Sequence, residues 1–409
     1  MRIAFLTETF SPKMGYIQNV LPKYLARCGA EVHVISMDLS PYHDLAGSKK
    51  IFQGFTEAPV PGCVEEIDGF HLHVLGHRMS CGYPRMTGLS EKLASIRPDI
   101  VQCQASIGWI PLDAARNKLR LGYKLFSGNH NAMSTARPGL GIDGSILRRG
   151  KAIVTRFLPG RLASYFTERC YAVTCDCAEI AWRYYGVQKH KVVTMHLGVD
   201  TEYFFPVRSA AAQEERAYLR RDLGFAAEDV VCVYSGKMTE EKNARIVGQA
   251  VNRIREKGIP YSAVFIGNGA QKEGIRAMAH CRVLDFMHFS KLAAYYRASE
   301  IGVWPTNESS SMLDAAACGI PLIISNGVVY REHVDGNGLV YHQNDLDDLI
   351  SKLLELQSPE RRKQLGERGA EKMLQDFSWD SVARKRLAHY SEALGHRAGA
   401  QTSGFAETT

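Results

Sequence analysis

Ten cysteines are spread over 409 residues, at positions 28, 63, 81, 103, 170, 175, 177, 232, 281 and 318, and no two of them form a C-x-x-C pair. That absence removes the usual dithiol and zinc-site spacings. Most of these thiols fall inside apolar strand-like or helix-like runs and read as reduced, buried groups, which places the chain in the cytoplasm. No apolar run approaches membrane-spanning length. The opening M-R-I-A-F-L-T-E-T-F-S-P has one Arg and a short apolar run before an acid and a proline, so it reads as a strand and not as a signal peptide. There is no internal repeat and no low-complexity tract. Metal ligands are equally scarce in useful spacing. C-D-C at 175–177 is too tight for a zinc knuckle, and H-L-H at 71–73 puts two imidazoles on one face of a strand without a third ligand. D-L-D at 345–347 opens a helical run, where capping and dipole effects account for the acids. No metal, cofactor or nucleic acid partner is expected.

What the chain does have is apolar material for two cores, with 45% hydrophobic residues. The net charge of +7 is uneven: residues 1–200 carry 24 Lys and Arg against 16 Asp and Glu, residues 201–409 carry 26 against 27. The basic excess of the first half fits an acidic acceptor, an anionic membrane surface, or a solvated face. Short β-branched runs alternate with helical stretches throughout. In the first half the runs are 2–8, 31–36, 99–104, 123–130, 172–176 and 192–198; in the second they are 230–236, 261–267, 301–305, 321–325 and 338–341. This rhythm predicts an α/β fold of two doubly wound Rossmann-like domains facing a central cleft. The boundaries are 1–200 and 201–376, with a polar, helix-prone hinge over 205–228. A helix at 377–394, capped by Ser378, is followed by a disordered Gly/Ala/Ser/Thr tail at 395–409.

Open α/β sheets bind ligands beyond the carboxyl ends of their strands, so the chemistry is sought just after each run. S-G-K-M-T-E-E-K-N follows the strand 230–236. Gly236 ends it, and Lys237 and Lys242 suit the neutralisation of a leaving diphosphate, although with Glu240 and Glu241 between them the segment also fits a surface loop of mixed charge. T-N-E-S-S-S-M-L-D-A-A-A-C-G-I-P follows the strand 301–305. Its serines are good N-caps, Gly319 and Pro321 stop the helix, and the N–H groups of a helix start there form an anion site. Glu308 and Asp314 place two carboxylates within reach of sugar and ribose hydroxyls; for Asp314 the plainer role is a favourable position near the helix dipole. His130 ends the strand 123–130 and can hydrogen-bond a sugar hydroxyl, or can be structural like most lone histidines. Gly15 sits on the turn after the first strand, where missing bulk would let backbone N–H groups approach a ligand.

In this order and spacing the segments resemble the retaining glycosyltransferases of GT-B architecture, the family numbered four in the carbohydrate-enzyme classification. The likeness covers nearly the whole chain. It runs from the first strand and its glycine turn through C-G-A-E-V-H-V-I-S, His130 and H-L-G-V-D-T-E-Y-F-F-P (196–206) in the first half. S-G-K-M-T-E-E-K, I-G-N-G-A (266–270), Y-Y-R-A-S-E-I-G-V-W-P (295–305), D-A-A-A-C-G-I-P and the terminal F-S-W continue it in the second. The resemblance implies transfer of a sugar, without a metal, from a nucleotide-sugar donor to a small-molecule, glycan or lipid-linked acceptor. His130, Lys237, Lys242 and Glu308 would act at the reacting centre. Gly15, Gly236, Lys237, Lys242, Glu308, Ser309, Ser310, Ser311, Met312, Leu313 and Asp314 would bind the donor. It also implies that residues 377–393 cross back onto the first domain.

Three positions depart from the family pattern. The first of its paired glutamates falls at Thr306, leaving Glu308 as the substitute. Lys237 replaces an arginine and loses a bidentate fork. Asp285 stands in V-L-D-F-M-H-F (283–289) where a glycine is usual near the nucleobase. A sugar-nucleotide epimerase on the same scaffold and a catalytically silent nucleotide-sugar-binding subunit share these residues. The stretch 146–166 mixes cations with aliphatic and aromatic residues. It reads either as an interfacial segment touching anionic lipid at the inner face of the membrane, or as apolar packing on the sheet with a helix broken at Pro159 and Gly160.

Overall fold

The computed structural model describes residues 1–42, 52, 55, 57–137, 140 and 145–395. The strands are β1 (Arg2–Leu6), β2 (Glu31–Met37), β3 (Val64–Ile67), β4 (Phe70–Leu75), β5 (His77–Ser80), β6 (Tyr83–Met86), β7 (Ile100–Cys103), β8 (Lys124–Asn129), β9 (Thr167–Ala172) and β10 (Val192–Thr194) in the first half. The second half contains β11 (Val230–Ser235), β12 (Tyr261–Ile266), β13 (Cys281–Leu284), β14 (Ile301–Trp304), β15 (Leu322–Ser325) and β16 (Gly338–Tyr341). The first sheet has the order β10-β9-β8-β7-β1-β2-β4-β3, the second β13-β12-β11-β14-β15-β16, and β5 and β6 form a separate hairpin. All pairs in the second sheet are parallel; in the first only β3 runs antiparallel.

Parallel strands covered by helices on both faces must be apolar on both sides, and the sequence obeys this. In β1, Ile3 and Phe5 join one core layer while Ala4 and Leu6 join the other. All six residues of β11 and of β12 are buried. Helix Arg245–Glu256 buries Ile246, Val247, Ala250, Val251 and Ile254, the one-sided spacing that docks a helix on a sheet.

Several expectations are corrected. The run 172–176 is not a strand: β9 ends at Ala172, and Thr174 caps helix Cys175–Arg183 by accepting from the Cys177 N–H at 3.4 Å. The polar segment 205–228 is not a hinge. Ser209 caps helix Ala210–Asp222, whose Arg216 and Arg220 both bind Glu300, so this helix is tied into the second domain. The domains are joined at two neighbouring crossings instead. The Val199 N–H donates to the Phe377 carbonyl at 2.7 Å, and the Trp379 N–H donates to the Val199 carbonyl at 3.1 Å. Gly198 lies under the Trp379 ring, where a Cβ would come within 2.6 Å. Helix Trp379–Ala393 then places Trp379, Val382, Ala383 and Tyr390 in the first domain's core. Pro159 and Gly160 do not break their helix either. Ile146–Ala152, a π-turn over Ile153–Phe157, and Leu158–Phe166 follow one another without interruption, with Pro159 at the start of the last segment. Apart from Gly395, the expected tail lies outside the described residues.

Asp345 caps helix Leu346–Glu355 through the Asp347 and Asp348 N–H groups, at 3.1 and 3.0 Å. The H-L-H pair acquires a neighbour that strand pairing alone reveals. β2 runs beside β4 with His33 opposite His71, and the His33 Nδ1 lies 3.0 Å from the His73 Nε2. Burial, with the charges of Lys92, His33 and His71, lowers the His73 pKa to about 4 from 6.5, and its Nδ1 is buried without a partner. The His33 pKa is also lowered by burial, against the pull of Glu31. Between pH 6.5 and 4 the unfolded chain therefore binds protons that the folded one refuses, so stability is full above the unfolded value and falls with acid. For His73 the difference is roughly 3 kcal/mol. Thermal unfolding followed from pH 7 to pH 4 is expected to show a steep fall that His73→Gln reduces; an identical fall in both proteins contradicts this.

Candidate active site

Each sheet reverses its winding between two adjacent strands, β1 and β7 in the first domain and β11 and β14 in the second. Ligands enter open α/β folds at such points. A cavity of about 540 Å³ lies between the two reversals, lined by Thr9, Gly15, Gln104 and His130 from the first domain. Phe289, Glu308, Ser310 and Asp314 line it from the second, with Asp200 and Trp379 from the crossings. A smaller cavity of about 200 Å³ continues past His130, Leu197, Glu308 and Ser310 to Ser309, Leu313 and Tyr330. Gly15, His130, Glu308, Ser309, Ser310, Leu313 and Asp314 thus share one cleft.

Lys237 and Lys242 stand beside it on the loop after β11. The turn is built by close backbone approach: the Gly236 N–H donates to the Ile266 carbonyl at 3.0 Å and the Met238 N–H to the Asn268 carbonyl at 2.9 Å. A Cβ on Gly267, whose φ is +143°, would overlap the Gly236 carbonyl. Only glycine fits there. The Lys242 ammonium donates to the Asn307 Oδ1 and reaches the Glu308 carbonyl at 3.5 Å, so the lysine loop and the loop after β14 are joined across the reversal. Lys237 lies over two rings of the first domain, 4.9 Å from the Tyr42 centroid and 5.6 Å from that of Phe52. Burial lowers the pKa of both lysines; Glu241 opposes the shift at each and Glu308 also at Lys242. They are cations partly stripped of water and poised for an anion.

The glycine turn is filled differently from expectation. A Cβ on Gly15 would come within 2.8 Å of the Phe289 ring, so the space beside it holds an aromatic from the opposite domain. Ser310, at the helix N-cap position, is already helical and makes no side-chain capping bond. Ser311 is turned to the Ser235 carbonyl at 3.3 Å and accepts from the Trp304 indole at 3.2 Å. Met312 and Leu313 are buried, and their N–H groups donate to the Ser309 and Ser310 carbonyls at 3.1 and 3.0 Å.

Thr306 is buried, with its hydroxyl toward the Asn307 side chain at 3.2 Å. Glu308 accepts from the Val329 N–H at 2.8 Å while lining both cavities. Asp285 pairs with Lys272 at the end of β13. Burial keeps His130 neutral, with its pKa down at about 4, and the charge of Arg386 acts the same way. Burial pushes the Asp314 carboxyl well above the usual range, reinforced by Asp200. Sequence reasoning missed Asn307, Gln104, Tyr42, Phe52 and Phe289. Asn307 adjoins the acidic tract and was open to notice; the aromatics depend on domain contact, which leaves no local signal.

Residues 21–203 match the family described as Glycosyltransferase Family 4, and residues 229–358 the family described as Glycosyl transferases group 1. Among curated proteins, the D-inositol 3-phosphate glycosyltransferase of Streptomyces bingchenggensis is 28% identical over 253 residues, covering 56% of this chain and 54% of that one. The chain spans little more than half the length of such relatives. A GDP-mannose-dependent alpha-(1-6)-phosphatidylinositol monomannoside mannosyltransferase of Mycobacterium tuberculosis is 26% identical, with 94% of this chain and 96% of that one aligned. Among solved structures, sucrose-phosphate synthase from Thermosynechococcus elongatus superposes with a TM-score of 0.68 at 15% identity, covering 97% and 99% of the two chains. Anabaena HepE in complex with UDP and glucose gives 0.65 at 15% identity, with the same coverage. The architecture is that of the GT-B fold.

Because the Asp314 carboxyl is held well above its unfolded pKa of about 3.8, the protein loses stability as pH rises from that value toward the folded one. Asp314→Asn is therefore expected to stabilise the protein by about 1 kcal/mol at pH 7.5, with the gain vanishing near pH 3. Thermal unfolding at the two pH values checks this; a destabilised variant at pH 7.5 contradicts it.

Proposed function

We propose, for a chain that belongs to the glycosyltransferases of family 4 and group 1, that it transfers a sugar from a nucleotide-sugar donor to a small-molecule, glycan or lipid-linked acceptor, with retention of configuration and without a metal. The observation that carries this reading is the pair of desolvated lysines at the second sheet's reversal, with Lys242 fixed by Asn307 and the Glu308 carbonyl. A diphosphate seated there gains two charge-assisted partners in a site already poor in water.

In the reaction the bond between the anomeric carbon and the diphosphate oxygen breaks, and its electron pair goes to the oxygen. The acceptor hydroxyl attacks on the same face, and its proton passes to the departing phosphate. Lys237 and Lys242 neutralise the charge that grows on the diphosphate, an interaction stronger in the transition state than in the bound donor. Lys237 must exchange the Tyr42 and Phe52 ring faces for phosphate oxygens, so donor binding draws on a contact between the domains. Neutral His130 and Glu308 can hydrogen-bond the transferred sugar, and Asp314 the ribose. Placing the donor on the second domain and the acceptor on the first requires a closed cleft, which also excludes the water that would hydrolyse the donor. GDP-mannose is the first donor to try, because the relative aligned over nearly the whole chain is named for it.

Lys242→Ala is expected to lower turnover at least about 100-fold, with a melting temperature close to that of the parent. Initial rates at saturating donor check this. Near-normal turnover removes Lys242 from the mechanism.

A further inference from the structure

Of the seventeen large hydrophobic side chains exposed among the described residues, seven lie on the single helical run 146–166. They are Ile146, Leu147, Ile153, Val154, Leu158, Leu162 and Tyr165, exposed by 50% to 88%. Leu147, Val154, Leu158 and Tyr165 follow at intervals of seven, four and seven, which keeps them on one face. The same run carries five cations, Arg148, Arg149, Lys151, Arg156 and Arg161, and no acid. The helix cannot roll to hide its apolar stripe. A Cβ on Gly160 would overlap the Tyr185 carbonyl and one on Gly186 the Phe157 carbonyl, so backbone meets backbone there. The Lys191 ammonium also ties the Ser164 carbonyl at 2.8 Å.

The position of this face follows from the topology. The helix lies between the parallel strands β8 and β9, so it runs opposite to them and begins at their carboxyl ends, the cleft side of the sheet. Twenty-one helical residues span about 31 Å, whereas the six residues of β9 span only about 20 Å. The excess projects, and the first segment, Ile146–Ala152, has no buried residue. Aliphatic groups and cations therefore stand together at the rim of the first domain's half of the cleft.

We propose that this face docks the protein on an anionic lipid bilayer, with the aliphatic stripe among the acyl chains and the cations at the lipid phosphates. Charge selects this occupant over a second copy of the chain, because two such faces would bring Arg148, Lys151 and Arg161 of each against the same cations of the other. Aliphatic side chains flanked by cations, with no acid, on one exposed helical face are the composition of a segment that lies in a bilayer interface. Docking in this sense turns the mouth of the first domain's cavity toward the membrane and gives the acceptor a lipid surface to arrive from. Vesicle binding requires no turnover, so its outcome is independent of the donor chemistry proposed above.

The test is co-sedimentation of the full chain with vesicles of phosphatidylcholine alone and of phosphatidylcholine with 30% phosphatidylglycerol, at about 0.1 M and 0.5 M salt. Binding to the anionic vesicles is expected to be at least tenfold stronger than to neutral ones and to weaken at high salt. Leu147→Glu with Leu158→Glu should abolish it, and Arg148→Glu with Lys151→Glu should reduce it by tenfold or more, each with an unchanged melting temperature. Equal binding to both vesicle types, no binding to either, or loss of a dimer as the only effect of the leucine changes overturns the proposal.

Discussion

The two chain crossings between the domains are hydrogen-bonded to each other, and the cleft depends on that pairing. The outward crossing at Gly198–Asp200 and the return at Phe377–Trp379 form a short ribbon with a glycine placed so that the Trp379 ring can lie flat against it. Asp200 anchors the ribbon to the first domain, accepting from Lys23 at 3.0 Å and from the Tyr24 hydroxyl at 2.7 Å, all nearly inaccessible to water. Lys23 also reaches Glu202 at 2.7 Å, so it is the loss of Lys23 that leaves the buried Asp200 carboxylate without its cation, at about 3–5 kcal/mol. The same carboxylate lines the central cavity and raises the Asp314 pKa, so the joint and the second domain's side of the cleft share one electrostatic field.

Around this joint the protein carries several groups in forms that water would not favour. Lys237 and Lys242 have lost part of their hydration, Asp314 resists ionisation, and His130 resists protonation. None of these arrangements stabilises the fold by itself. Each is eased by a ligand of matching charge or hydroxyl pattern, which is how a site can be weak for the folded state and strong for a transition state. The ring faces of Tyr42 and Phe52 cover the Lys237 ammonium, a contact made between the domains.

The sequence was legible where a signal is local. Fully apolar runs such as V-V-C-V-Y-S marked central strands, and the glycine and polar residues after them marked the loops that carry Lys237, Lys242, Glu308 and Asp314. It was misleading where two local patterns compete. A-V-T-C-D looks as strand-like as T-E-R-C-Y-A, yet Thr174 can cap a helix, and that ends the strand at Ala172. Charge-rich 205–228 resembled a linker because Arg216 and Arg220 find their carboxylate in Glu300, 84 and 80 residues further along the chain. The imidazole beside H-L-H, the ring over Gly15 and the ring pair over Lys237 all arise from strand order or domain contact, and neither leaves a trace in nearby residues.

The central claim is that protein cations alone hold the donor's diphosphate. Calorimetric titration of UDP, GDP, ADP and TDP into the protein with excess EDTA tests it directly. The account predicts that at least one nucleoside diphosphate binds in EDTA, unchanged by added magnesium, and that replacing Lys237 and Lys242 together by alanine removes the binding. Binding that appears only with the metal, or that survives loss of both lysines, would contradict it.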